Sequence, residues 1–82
     1  MCRNITVLRG LEPAATPEEI EAAARQYVRK VSGVQKTSAD TEAAFEQAVV
    51  LVAEATTTLL AELPARRRPP PSEPPLRRLA RR

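Results

Sequence analysis

Apolar side chains recur at helical spacing in two stretches of the chain. In the first, Ile20, Ala23, Ala24, Tyr27, Val28 and Val31 step by three and four residues, which lines up one face of a helix. Its ends are punctuated. In TPEEI, Thr16 can cap, Pro17 suits the first helical position, and Glu19 can return a hydrogen bond to the cap amide. Glu18 and Glu19 also suit the positive end of the helix dipole, and Gly33 closes the segment as a left-handed cap.

In the second stretch, Phe45, Val49, Val52, Thr56, Leu59 and Leu63 step by 4, 3, 4, 3 and 4, with Ala48 and Leu60 widening the stripe. Pro64 stops it. The β-branched run in VVLVAEATTT lowers helix propensity and reads locally like a strand, but the sustained spacing outweighs it. Between the two stretches lies VQKTSAD, where Thr37, Ser38 and Asp40 are alternative caps. The pattern predicts an all-α fold, an antiparallel helical hairpin with helices at about 17–32 and about 39–63.

These helices are unequal. At 1.5 Å per residue the first spans roughly 24 Å and the second roughly 37 Å, which leaves the far end of the second, around Leu59, Leu60 and Leu63, without cover. The opening segment MCRNITVLRGL reaches up to about 36 Å when extended. It is expected to cross that end and pack Ile5, Val7, Leu8 or Leu11 there.

Beyond Pro64 the character changes to ARRRPPPSEPPLRRLARR, with prolines clustered at Pro69 to Pro71 and Pro74 to Pro75. Such a composition is expected to be disordered, with polyproline II character. The chain therefore divides into a small helical domain, 1–64, and a disordered Pro/Arg-rich basic tail, 65–82. Charge divides at the same place. Residues 1–64 carry six basic against nine acidic side chains, and residues 65–82 carry seven arginines against Glu73, so the overall net charge of +3 belongs to the tail.

A chain of 82 residues buries only about 60% of its unfolded surface, and small domains draw on disulfides, metals or self-association. One cysteine makes no intrachain disulfide, and without histidine it makes no mononuclear zinc site. A homodimer pairing the apolar stripes in a four-helix arrangement is left. No signal-peptide run and no transmembrane segment are expected, so a cytoplasmic location follows, in keeping with a reduced thiol.

Cys2 is the first candidate for chemistry. Behind a removable Met1 it would carry a thiol beside an α-amine, and Arg3 favours the thiolate. With no histidine in the chain to act as base, a small buried hydrophobe is the leading reading, ahead of a redox or modification handle, a metal ligand shared across a dimer and a catalytic nucleophile. Arg25, Arg29 and Lys30 form a second candidate, a basic row able to grip phosphates, although Glu21 four residues ahead of Arg25 predicts an ion pair on a solvated face. The tail supplies a third in Arg66, Arg67, Arg68, Arg77 and Arg78, which suit salt-sensitive binding of nucleic acid or an anionic surface. No catalytic constellation and no cofactor motif is present. The expectation is a non-enzymatic protein–protein interaction or self-associating module, with a nucleic-acid accessory using the arginine tail, or a thiol site at Cys2, as alternatives.

The opening MCRNI, the block LRGLEPAATPEEIEAAARQYVRKVSG and the later AFEQAV resemble a family of small bacterial proteins, common in actinobacteria, catalogued as a domain of unknown function. The resemblance covers roughly residues 1–64 and leaves out the basic tail. It implies a compact helical family and carries over no activity, cofactor or residue role.

Overall fold

A computed structural model of the chain describes residues 4–64, residue 70 and residues 73–80, the last three by backbone alone. The described residues form helices α1, Pro17–Ser32, α2, Glu42–Glu62, and α3, Pro75–Ala80, with no strand among them. α1 and α2 pack together as the expected hairpin.

α1 has the ends its sequence predicts. The Glu19 amide donates to Thr16 Oγ1 at 3.1 Å and the Thr16 amide donates to Glu19 Oε1 at 2.9 Å, a reciprocal capping box. Gly33 ends the helix at φ 73°, its amide donating to the Arg29 carbonyl at 2.9 Å. A Cβ there would meet nothing within 4 Å, so the demand for glycine comes from the backbone conformation and not from crowding.

α2 starts later than expected, and its N-cap is Thr41 rather than Thr37, Ser38 or Asp40. A tight turn is the reason. The Ser38 carbonyl accepts from the amides of Thr41 at 3.1 Å and Glu42 at 2.9 Å, and Thr41 Oγ1 accepts from the Ser38 amide at 2.8 Å, so the polar groups that would cap a longer helix are spent in the turn. The β-branched stretch is helical. Thr56 and Thr57 return their hydroxyls to the carbonyls of Val52 and Ala53 at 2.7 and 2.9 Å, which satisfies them inside the helix's own ladder.

The core has two parts joined at Ala53. Ala24, Val28, Phe45 and Val49 form the seam between the helices, with Val34, Ala48 and Val52 packed on it. Leu8, Leu11 and Ile20 form the second part, with Ala15 and Leu60. The opening segment thus runs as the predicted strap, burying Leu8 and Leu11 while Ile5 and Val7 stay exposed. Polar ties hold its ends: the Asn4 amide donates to Gln26 Oε1, and the Arg9 guanidinium donates twice to the Pro64 carbonyl, at 2.7 and 3.1 Å.

The apolar stripes are wider than the seam that covers them. Each long helix packs against one other long helix, which covers only part of a wide apolar stripe. Tyr27 and Val31 of the first stripe and Leu59 and Leu63 of the second therefore remain exposed.

The expected disordered tail needs narrowing. Residues 75–80 form α3, and Pro70, Pro74 and Pro75 are buried. Pro75 occupies the first helical position, ahead of leucines and arginines with good helix propensity, and the Arg77 amide donates to the Pro74 carbonyl at 3.1 Å.

Candidate interaction surface

The groove between α1 and α2 has two flanks, one that carries ion pairs beside its apolar lining, Val50 included, and one that is almost wholly apolar. On one, Arg25 reaches across from α1 and donates to both carboxylate oxygens of Glu46 on α2, at 2.7 and 2.9 Å, and to Glu21 at 3.2 Å. Its guanidinium lies 5.8 Å from the centroid of the Phe45 ring, within reach of a cation–π contact. Hydrogen bonds donated to Glu46 and then Glu21 raise the Arg25 pKa further above its ordinary range, and the bond from Arg25 holds the Glu46 carboxyl below its usual value. A cleft of about 670 Å³ lies alongside, lined in part by Glu21, Arg25, Glu46, Glu54 and Thr57. The one guanidinium in that lining is committed to the two carboxylates beside it, so the cleft offers no free cation to an anion.

The other flank is apolar. Two clefts of about 390 and 370 Å³ share Tyr27 and Val52 and run end to end along the groove. Ile5 and Val7 from the strap, Ala23 and Val31 from α1, Ala48 and Leu59 from α2, and Leu63 just past its end line them. Much of this lining faces solvent: Val7 is 50% exposed, Tyr27 48%, Val31 65% and Leu59 55%. Leu51, one turn from Ala48 and Ala55 on the same side of α2, is exposed as well. Thr6 Oγ1, in the same lining, is buried without a hydrogen-bond partner.

Of the residues singled out from the sequence, Cys2, Arg3, Arg66, Arg67 and Arg68 lie outside the described residues. Arg78 lies in α3, where backbone alone is described. Arg29 and Lys30 are exposed in the last turn of α1, where the helix dipole favours them. Arg25 and Arg77, the two best-held arginines of the basic sets, are turned onto carboxylates. Among the described residues no group of three or more His, Cys, Asp and Glu side chains is placed to hold a metal. The open flank was not singled out as a site, because a stripe at helical spacing reads as core. Its signal is present in the sequence all the same: VVLVA puts apolar residues on nearly every side of α2, more than one partner helix can cover.

α2 is also apolar and long enough, by length and composition alone, to cross a bilayer. Its best 18-residue window has a mean hydropathy of 1.3. Only 11% of that window is buried.

A hairpin strapped by its own N-terminal segment, with an open apolar flank and no assembled catalytic group among its described residues, defines a small all-α protein whose most developed feature is a surface. The chain belongs to the family of uncharacterised conserved proteins DUF2277, whose model matches residues 1–82. The match takes in the basic tail, which the sequence resemblance left out. No curated protein and no solved structure matches the chain.

Proposed function

We propose that the chain is a non-enzymatic protein–protein interaction module that self-associates as a homodimer through its open flank. One observation carries the reading: strap, α1 and α2 all contribute exposed apolar side chains to one continuous groove. Contiguous apolar surface of this kind marks association sites on soluble proteins. The apolar lining argues for a second copy as the occupant. A two-fold pairing that lays Tyr27 and Leu59 against their own counterparts is self-complementary without charge matching, and it builds four helices around one seam.

Sedimentation equilibrium of the full chain tests this. The expected result is a dimer, with Leu59→Lys giving a monomer whose circular dichroism is unchanged. A wild-type chain that stays monomeric at every concentration defeats the proposal. So does a monomer that floats with lipid vesicles, because the apolar length of α2 then serves a membrane.

A further inference from the structure

Glu19 is a charged side chain only 5% exposed, in the first turn of α1, and its partner comes from the far end of the chain. Arg77 of α3 donates from Nε to Glu19 Oε2 at 3.1 Å and from Nη2 to Glu19 Oε1 at 2.9 Å, the side-on bidentate pairing of guanidinium with carboxylate. The same guanidinium donates from Nη1 to the Pro13 carbonyl at 2.9 Å and from Nη2 to the Ala14 carbonyl at 3.3 Å. Four of its five N–H groups are thereby used.

The receiving side is built without Arg77. Glu19 Oε1 also accepts from the Thr16 amide at 2.9 Å, and Thr16 Oγ1 accepts from the Glu19 amide at 3.1 Å, so the capping box aims the carboxylate. The positive end of the helix dipole repels a cation, and the site overcomes that with one full negative charge and two carbonyl dipoles. A carboxylate met through two donors at once suits the rigid fork of arginine and not the point charge of lysine.

We propose that this corner, made of Glu19 and the carbonyls of Pro13 and Ala14, is an arginine-recognition site. Its ligand is a guanidinium carried on a short basic segment. The chain's own α3 fills the site, and the same segment of a second copy can exchange into it. Exchange of an identical terminal element is a low-cost route between protomers. The site stands apart from the open flank, so a chain that proves monomeric leaves it intact.

The test uses the full-length Arg77→Ala chain, whose site is open, and a fluorescent peptide of residues 73–82. The peptide should bind Arg77→Ala roughly tenfold or more tighter than wild type, in which Arg77 already occupies the site. Lysine in place of Arg77 in the peptide, or Glu19→Gln added to the open chain, should each remove that binding, since bidentate pairing is lost. Equal binding to wild type and Arg77→Ala overturns the proposal, as does a lysine peptide that binds equally well. A second measurement covers the case of an Arg77→Ala chain that does not fold. In wild type the Arg77 Nε–H should exchange with water more slowly than the Nε–H of exposed arginines by nuclear magnetic resonance, and exchange at the exposed rate overturns the assignment.

Discussion

The two flanks of the α1–α2 groove are built from the same pair of helices and are finished in opposite ways. On one, Arg25 bridges the helices to Glu46, pairs with Glu21 on its own helix and sets its guanidinium over the Phe45 ring. On the other, Tyr27, Val31 and Leu59 stand open, with no charged pair across them among the described residues. A thin hairpin has more apolar edge than it can bury. The difference shows where that edge is closed within the chain and where it is left for something else.

The seam beneath both flanks gives the largest effect. Phe45 is buried beneath Arg25 and also lines one of the apolar clefts, so Phe45→Ala should cost about 3–5 kcal/mol in urea unfolding. Both flanks should fail together. A cost near 1 kcal/mol would mean that the flanks are stabilised separately, and the contrast between them would lose its shared base.

Next comes the open flank alone. Leu59→Lys removes an exposed leucine, so the stability of the isolated chain should move by less than about 0.5 kcal/mol. Self-association should weaken by about 2 kcal/mol, roughly thirtyfold in Kd, if Leu59 sits in the middle of the interface. Arg25→Met sharpens the comparison from the other side. Methionine keeps contact with the Phe45 ring but loses the hydrogen bonds to Glu46 and Glu21, so stability should fall by about 1 kcal/mol with no change in Kd. An Arg25→Met chain that dissociates while Leu59→Lys stays dimeric would exchange the roles of the two flanks.

Much of the closed architecture is legible from the sequence because it is local or follows from length. Thr16 and Glu19 are three residues apart, Gly33 follows the last apolar repeat directly, and the strap follows from two helices of unequal reach. What escapes is long-range. The pairing of Arg25 with Glu46 depends on how the helices register against one another, and that of Arg77 with Glu19 joins residues 58 apart in sequence. Neither spacing leaves a trace in periodicity. The start of α2 is hidden for a different reason: Thr37, Ser38, Asp40 and Thr41 are all competent caps, and the turn that selects among them is decided by which hydroxyl meets the Ser38 amide. The open flank is the most instructive miss. Period alone places Tyr27, Val31 and Leu59 on the inner face, and only the width of the facing helix decides which of them is covered.

The smallest effect is in pH, and it separates the flanks without a change in the apolar surface. The Glu46 carboxyl is held below its ordinary value of 4.5, first by the hydrogen bond from Arg25 and then by the nearby charges of Arg25 and Arg29, against a desolvation that pushes it up. A carboxyl with a lower pKa folded than unfolded stabilises the folded state above the unfolded value, and that contribution fades as pH falls through the folded value. Glu46 should therefore add nothing to the slope of Tm between about pH 7 and about pH 5, and should begin to destabilise the chain below about pH 4.5. Glu46→Gln should lower Tm at neutral pH and bring the variant and wild-type curves together in acid, by a modest amount because Glu46 is largely exposed and salt screens it. Neither Glu46 nor Arg25 lines the clefts of the apolar flank, so loss of their pairing should leave the dimer Kd level while Tm falls. A Kd that instead follows the acid limb, and loses that dependence in Glu46→Gln, would put the partner on the charged flank and leave the apolar groove as bare edge.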